Sequence, residues 1–259
     1  MKLSRTRAGL LQRLQQRKQR EREGCFLVEG LRSVRAVLEA DLPVRFAVMS
    51  PRLAELDADG TLAEMLSHAR FDVIAIDDKE LSELAGTVSP QGILMVCEEP
   101  RVALADLAPR SGGVLVADAV QDPSNLGAMI RSGAAFGLTG LVALNGTVDA
   151  WNAKVVRGSA GASFRLPVVQ ATCAELLEWA SSMGIRLLAA DTSGEDVAGV
   201  NRSLPWALII GNEGAGLRDE LRAAAAATVT VPIRVEADSL NAGVAAAILC
   251  YELTRATVR

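Results

Sequence analysis

The stretch WALIIGNEGAGL, residues 206–217, decides the class of fold. Its first half, Trp206 to Ile210, is a continuous apolar run with no polar position in it. Runs of this kind are typical of strands in parallel sheets that are covered on both faces. The glycine-rich turn that follows is then expected at the carboxyl end of a strand, which is where open α/β sheets bind their ligands.

Strands and helices alternate on both sides of this stretch. Strands are predicted at 113–119, 140–144, 185–190, 206–211 and 228–233. Helices are predicted at 125–136, 151–160, 174–183, 216–226 and 239–254. The pattern predicts an α/β domain with a parallel sheet over residues 113–259.

The first hundred residues form a second, smaller alternating unit. Helices are predicted at 5–22, 31–40, 62–70 and 79–85, and strands at 25–28, 44–49, 73–76 and 93–97. Residues 98–112 change in character, with two prolines, several charges and a Ser-Gly-Gly end. We therefore expect a domain at 1–100, a linker at 101–112 and the larger domain at 113–259.

The segment DPSNLGAMIRSGAAFG, residues 122–137, follows a predicted strand and opens a helix. Asp122 or Ser124 suits the N-cap, and Gly137 suits the end of the helix. Arg131 stands among small residues and has room to reach a phosphate or a carboxylate bidentately. The alternative is that Arg131 pairs with an acid on the protein surface.

The turn at 211–216 does not have a known nucleotide-binding spacing. Its glycines are not spaced as G-x-G-x-x-G, and no Lys-Ser/Thr pair follows them. Asn212 and Glu213 stand where a small ligand would lie beyond the strand. The alternative is a tight turn in which both side chains act as caps.

The segment VPIRVEADSLNAGVAAAI, residues 231–248, leads from a strand into an alanine-rich helix. We expect Asp238 or Ser239 to cap this helix. A helix start of this kind can hold an anion or a ligand carboxylate. Ordinary capping without a ligand is the alternative.

Composition excludes several classes of function. Aromatic residues make up 3% of the 259 residues, which argues against a base-stacking nucleic-acid surface. The single histidine, His68, excludes any mechanism that needs two. The four cysteines include no C-x-x-C pair, so we expect no zinc-ribbon site and no disulfide framework. With no signal sequence or membrane-spanning run, we expect a soluble protein of the reducing cytoplasm, without membrane contact.

Charge is distributed unevenly along the chain. Residues 1–35 hold ten Lys or Arg and three Glu, although the whole protein has a net charge of −4. A basic helical arm over residues 2–22, with Arg32 and Arg35, would neutralise RNA phosphates and give salt-dependent affinity. The alternative is a solvated amphipathic helix without a partner.

Taken together, the three segments resemble the signature motifs of the SpoU-type (TrmH-like) RNA 2′-O-ribose methyltransferases of the SPOUT superfamily. The matching text is NLGAMIRSGAAFG, IIGNEGAGL and VPIRVEADSLNAGVAAAIL, in the family's order and near the carboxyl terminus. The stretches at 22–34 (REGCFLVEGLRSV) and 89–96 (SPQGILMV) are similar to the substrate-binding domain that often precedes the catalytic one. Ser132-Gly133 and Ala242-Gly243 depart from the commoner family text without removing a polar functional group.

The resemblance implies a deep trefoil knot in the C-terminal domain and a homodimer formed through that domain. It implies S-adenosylmethionine as cofactor and no metal. The cofactor contacts carried over are Ala190, Ile210, Gly211, Asn212, Gly216, Ile233 and Leu240. The catalytic positions carried over are Asn125, Arg131, Glu213, Ser239 and Asn241.

The function implied is methyl transfer from S-adenosylmethionine to a ribose 2′-hydroxyl of tRNA or rRNA. An Arg at the position of Arg131 is the family's proposed base. A guanidinium stays protonated in proteins, so an electrostatic role for Arg131 is the safer expectation. The alternative function is a non-catalytic RNA-binding or ribosome-assembly factor that retains the fold.

Overall fold

The computed structural model describes residues 2–107, 112–201, 205–234 and 239–255. These residues divide into two compact units. The first unit holds the chain up to Arg101 together with Trp151–Phe164, and the second holds Val102–Ala150 and the chain from Arg165 onward. Residues 108–111 of the predicted linker and 256–259 of the predicted larger domain lie outside the described residues.

The first unit is built on a four-stranded mixed sheet. Its strands are β1 (Cys25–Glu29), β2 (Val44–Met49), β3 (Asp72–Ala75) and β4 (Ile93–Glu98). Its first six helices are α1 (Arg5–Arg13), α2 (Arg17–Glu23), α3 (Leu31–Glu39), α4 (Arg52–Leu56), α5 (Thr61–Ser67) and α6 (Asp78–Leu84). The strand order is β1-β4-β2-β3, with β4 antiparallel to both neighbours and β2 parallel to β3.

Both faces of this sheet are covered. Along β4, Ile93, Met95 and Cys97 bury in one apolar cluster, whereas Leu94 and Val96 bury in another. This alternation follows from the two-residue period of a strand. The short helix α4 was not predicted from the sequence.

The basic N-terminal segment forms two helices where one was predicted. Helix α1 ends at Arg13 and α2 begins at Arg17, although the sequence between them contains neither Gly nor Pro. Leu11 and Leu14 are both buried in the core, and the buried Arg20 guanidinium donates to the Leu14 carbonyl at 2.7 Å. Tertiary contacts therefore override the continuous helical pattern, and the segment is part of the first unit's core.

The segment Trp151–Phe164 completes the first unit. Its helix α8 (Ala153–Gly158) is shorter than the predicted helix at 151–160. The ring of Trp151 lies 4.4 Å from that of Phe26, centroid to centroid. Trp151, Val156 and Phe164 share one buried cluster with β1 and β4. A stretch far along the chain thus supplies part of the first unit's core.

The second unit is built on a six-stranded sheet in which every recorded pairing is parallel, as predicted. Its strands are β5 (Gly113–Ala117), β6 (Gly140–Leu144), β7 (Val168–Ala171), β8 (Arg186–Asp196), β9 (Trp206–Ile210) and β10 (Ala227–Thr230). Its helices are α7 (Pro123–Ala135), α9 (Cys173–Met183), α10 (Asp219–Ala224) and α11 (Ala242–Thr254). The strand order is β10-β8-β9-β5-β6-β7, and β5 and β9 are buried along their whole length.

Two strands of this sheet differ from the sequence prediction. The edge strand β7 was missed because it has only four residues and exposes Gln170 in its middle. Strand β8 runs on through polar residues to Asp196, where it pairs with β10 through a register shift. Across the described ranges, every helix is too short or too polar to traverse a lipid bilayer.

Candidate active site

Two loops meet at the carboxyl ends of β5 and β9, which are neighbours in the sheet. The turn after β9 folds back on itself, because Asn212 and Gly216 exchange backbone hydrogen bonds at 2.9 and 3.0 Å. The Oδ1 atom of Asn212 accepts from the backbone of Gly214 and Ala215, and its Nδ2 donates to the Ala119 carbonyl at 2.8 Å. The Asn212 side chain is therefore committed to holding the two loops together.

Glu213 fastens the loop after β5. Its carboxylate accepts from the backbone N–H groups of Gln121 and Asp122, both at 3.2 Å, and from Nδ2 of Asn125 at 2.8 Å. Burial is the largest single influence and raises the pKa of Glu213, but these hydrogen bonds together outweigh it and hold the pKa below its usual value. Glu213 is ionised at neutral pH and serves as an acceptor.

A buried ion pair closes the same junction. Asp118 is fully buried and lies 2.9 Å from Nε of Arg218. Its second oxygen accepts from the Arg218 backbone N–H at 2.9 Å, and the guanidinium also donates to the Asn145 carbonyl. The backbone of Gly216 pairs with Asn212 and that of Arg218 donates to Asp118. The helix α10 therefore begins at Asp219 and not at the predicted residue 216.

The helix start in the third segment is capped by a residue that the sequence prediction passed over. The Oδ1 atom of Asn241 accepts from the backbone N–H groups of Gly243 and Val244, at 3.0 and 3.2 Å. The prediction of Ser239 as the cap was wrong, because the helix starts at Ala242. Asp238, the other predicted cap, lies outside the described residues. The predicted cap of α7, Asp122, is confirmed by its bond from the Ser124 backbone at 2.8 Å.

A cavity of about 610 Å³ opens at the carboxyl ends of β9 and β10 and beside residues 190–192 in the middle of β8. Ten of the twelve predicted site residues line it: Ala190, Ile210, Gly211, Asn212, Glu213, Gly216, Ile233, Ser239, Leu240 and Asn241. Backbone groups of the strand ends and the apolar side chains of Ile210, Ile233, Leu240 and Leu249 make up much of its wall. Such a lining suits a small organic ligand.

Asn125 and Arg131 do not line this cavity. Asn125 is 3% exposed and connects to it through Glu213. Arg131 is exposed on α7, and within the ranges given above no hydrogen bond or ion pair of its guanidinium is recorded. Arg131 is thus a free cation on the helix that carries Asn125.

The three sequence segments nevertheless come together. Helix α11 packs directly on α7, so closely that a Cβ placed on Gly243 would lie 2.9 Å from that of Ala128. The first and second segments are joined by the Asn125–Glu213 bond, and the second and third share the cavity. The three segments are therefore adjacent in the fold.

Asp191 is a lining residue that the sequence analysis missed. The Ser193 backbone N–H and the Arg222 guanidinium, the latter at 2.6 Å, lower the pKa of Asp191 to about 2. Its signal in the sequence is a carboxylate directly after the apolar run of β8, where a ligand of a parallel sheet is expected. No three His, Cys, Asp or Glu side chains that could hold a metal gather anywhere in the part of the chain described here.

Comparison with known proteins agrees with this geometry. The SpoU rRNA Methylase family matches residues 113–251, and the MRM3-like substrate binding domain matches residues 9–95. The chain is 34% identical over 244 residues to the 23S rRNA (guanosine(2553)-2′-O)-methyltransferase RlmP of Bacillus subtilis, covering 93% of both chains. It is 33% identical to a 23S rRNA (uridine(2479)-2′-O)-methyltransferase of Streptomyces viridochromogenes, covering 92% of this chain and 85% of that one.

Solved structures give the same result. The SpoU methyltransferase AviRb from Streptomyces viridochromogenes, in complex with the cofactor AdoMet, superposes with a TM-score of 0.88 at 32% identity, covering 98% of each chain. The AdoMet-bound rRNA methyltransferase from Sinorhizobium meliloti superposes with a TM-score of 0.87 at 28% identity, covering 99% of this chain and 97% of that one. The chain belongs to the SpoU rRNA methylase family.

Proposed function

We propose that the protein transfers a methyl group from S-adenosylmethionine to a ribose 2′-hydroxyl of 23S rRNA. The observation that carries the proposal is a cavity at the ends of β9 and β10 that the second and third segments line and to which the Asn125–Glu213 bond ties the first. The relatives named for guanosine 2553 and uridine 2479 favour rRNA over tRNA as the class of substrate. We place the protein in the cytoplasm, where ribosomal RNA is processed and used.

The residues present fit the cofactor. The cavity of about 610 Å³ falls within the range of roughly 300–1,000 Å³ that is typical of sites for small ligands. None of its described lining residues is Lys or Arg, which suits a ligand with a cationic sulfur. The ionised Asp191 is among them but is already paired with Arg222 at 2.6 Å. Ala190, Ile210, Gly211, Gly216, Ile233 and Leu240 would hold the cofactor, and Asn212 would keep the turn in shape.

When bound, S-adenosylmethionine supplies a methyl group on a positively charged sulfur, with a neutral thioether as leaving group. The protein must therefore align the ribose oxygen and stabilise the charge that develops on it. We assign this electrostatic role to Arg131, because its guanidinium stays protonated and is free to grip a phosphate. Asn125 and Glu213 fix the start of the helix that carries Arg131, and Ser239 and Asn241 offer polar groups at the cavity rim.

A radiolabelled methyl-transfer assay on a 23S rRNA transcript tests this function. We expect Arg131→Ala to lose transfer by at least about 100-fold, the loss typical of removing one charge-stabilising donor. Cofactor affinity, measured by isothermal titration, stays at the wild-type value. Arg131→Lys is the matched control and retains partial activity, because it keeps the charge but not the bidentate geometry. A fully active Arg131→Ala protein contradicts the assignment.

We also propose that two copies of the chain form a homodimer through the second unit. Arg131 is absent from the lining of its own chain's cavity, which suits a site completed by a second copy. On α11, Val244 is 47% and Tyr251 51% exposed, which leaves apolar surface beside α7 for a partner. Co-expression of Arg131→Ala with Gly211→Ala then restores about a quarter of the activity, because half the dimers are mixed and hold one intact site. No recovery means that each chain works alone.

A further inference from the structure

A second cavity, of about 630 Å³, lies entirely within the first unit. It is bounded by the turn between β1 and α3, the loop at 87–91 and helix α8. Its charged lining residues are Arg32, Arg35, Arg157 and Glu29, and Ser33 and Gln91 are among its polar ones. Arg35 is paired with Asp57 and Asp59, both at 3.4 Å, and Arg157 is paired with Glu29 at 3.0 Å. Arg32 is therefore the cation of the lining that makes the cavity a candidate anion site.

No stabilising interaction within the described residues explains why an arginine stands at position 32. It is exposed in the first turn of α3, and no partner of its side chain is recorded within the described parts of the chain. The same turn contains no acidic residue. A cation at a helix N-terminus opposes the helix dipole, so helix stability does not account for Arg32.

Ser33 is the second unexplained donor. Its side chain lines the cavity but is only 6% exposed, and its hydroxyl has no recorded hydrogen bond to any residue that the structure describes. A hydroxyl that lines a cavity and has no recorded partner in the protein can donate to a ligand bound there. The N-cap of α3 is Gly30, which has no side chain to accept from the first turn.

The remaining walls are already fixed by contacts within the unit. Glu29 is 4% exposed and accepts from the Gly86 backbone at 2.5 Å and from Arg157 at 3.0 Å. The Gln91 side-chain oxygen accepts from the Leu31 backbone at 3.0 Å, which leaves its amino group as a donor. The cavity therefore presents more donors than acceptors before any ligand arrives.

We propose that this cavity binds a phosphodiester of the RNA substrate together with part of its nucleotide, with Arg32 and Ser33 as the direct donors. The inference rests on the proposed function, which supplies an RNA as substrate. The volume exceeds what a lone phosphate needs. Val88, in the loop whose neighbours Thr87 and Ser89 line the cavity, is fully exposed and offers an apolar contact for a sugar or base.

Binding of a 23S rRNA transcript by the full-length protein, measured across a salt series, tests the site. We expect Arg32→Ala to weaken binding about tenfold and to lower the slope of log affinity against log salt by about one. Ser33→Ala weakens binding by a few-fold at an unchanged slope, because it removes a neutral donor. The matched control is Arg70→Ala, which removes an exposed cation of the same unit that lies outside the cavity and has no recorded partner among the described residues.

Two results overturn the proposal. One is wild-type RNA affinity in Arg32→Ala at every salt concentration. The other is an equal loss in Arg70→Ala, which would make general surface charge the cause. Melting temperature and cofactor affinity, unchanged in all three variants, show that each protein is folded. If the wild-type protein transfers no methyl group, the proposed function fails, and the contrast between Arg32→Ala and Arg70→Ala still decides the RNA site.

Discussion

The two cavities have nearly the same volume, about 630 and 610 Å³, and opposite linings. The cavity of the first unit holds three arginines, whereas the described lining of the second holds acids, backbone groups and apolar side chains but neither Lys nor Arg. A polyanion is attracted to the first lining, and a ligand with a cationic sulfur suits the second. The contrast teaches that net charge of the whole chain, −4, predicts neither partner, because each unit carries its own local charge pattern.

Gly211→Ala should impair the cavity of the second unit and leave that of the first unit intact. A Cβ at Gly211 would lie 2.5 Å from the backbone carbonyl carbon of Gly216, so the turn that lines the cavity must shift. Overpacking of this kind costs about 1–3 kcal/mol, and we expect cofactor affinity to fall about 10- to 100-fold by isothermal titration. RNA affinity stays unchanged, because the other cavity lies in the first unit.

The control for this change is Gly199→Ala in the same unit. No described atom lies within 4 Å of a Cβ placed there, so cofactor affinity should remain at the wild-type value. If Gly211→Ala binds the cofactor normally, the turn after β9 is not part of the cofactor site. If it loses RNA affinity as strongly as cofactor affinity, the two cavities do not act separately.

Glu213→Gln should slow methyl transfer with a smaller effect on either affinity. The substitution removes the charge from an acceptor of three hydrogen bonds that hold the start of α7. Hydrogen bonds to charged groups are worth about 1.5–3 kcal/mol, so we expect the rate to fall roughly 10- to 100-fold. Single-turnover kinetics at saturating cofactor measure this loss, and an unchanged rate would show that the loop needs no such anchor.

The same residue gives a pH dependence with a defined sign. Because the folded pKa of Glu213 lies below its ordinary value of 4.5, its contribution to stability is complete above that value and is lost as pH falls through the folded pKa. The difference in melting temperature between wild type and Glu213→Gln should therefore be constant near neutral pH and shrink in acid. A difference that grows in acid contradicts the lowered pKa.

The smallest effect is expected from the N-terminal helices. Arg17 is paired with Glu21 at 2.8 Å, whereas Arg5 and Lys18 have no recorded side-chain partner within the described residues. Replacing Arg5 and Lys18 by Ala should weaken RNA binding by about two- to threefold, since exposed cations contribute through general phosphate attraction. Arg17→Ala is the control and changes RNA affinity less. Equal losses of RNA affinity would mean that an ion pair within the protein does not prevent a cation from contributing to RNA binding.

Truncation of residues 1–22 is not a clean version of that experiment. Leu11 is fully buried and Leu14 is 1% exposed, so the deletion would open the core of the first unit. Loss of RNA binding would then report unfolding rather than lost charge. Point substitutions of exposed residues avoid this ambiguity.

Much of the second unit could be predicted from the sequence, because several of its strands, β5, β6 and β9 among them, are continuous apolar runs. The parallel sheet and the position of the 211–216 turn follow directly from that pattern. Helix caps were harder to predict, since Ser239 and Asn241 are both good capping residues and only the backbone path selects Asn241. The break between α1 and α2 and the packing of Trp151 on Phe26 depend on contacts distant in sequence, which periodicity does not report.

The sequence predicted which residues form the candidate site more completely than how those residues are arranged. The sheet pattern placed the glycine-rich turn at a strand end, and the resemblance implied Ile233 and Leu240 as cofactor contacts; all of them line one cavity. Asp191 was missed because it lies within β8, directly after the apolar part of that strand. The deep knot stays a prediction of the resemblance, because a local pattern carries no information about how the chain threads.

The central claim is that the cavity at the ends of β9 and β10 holds the methyl donor from which a ribose of 23S rRNA is methylated. Mass spectrometry of nucleosides from 23S rRNA, isolated from cells with and without the protein, tests it most directly. We predict one 2′-O-methylated nucleoside that disappears without the protein and returns with the wild-type chain but not with Arg131→Ala. The account is contradicted if the cells without the protein lack a methylated base instead, or if their ribose methylations are the same as those of cells with the protein.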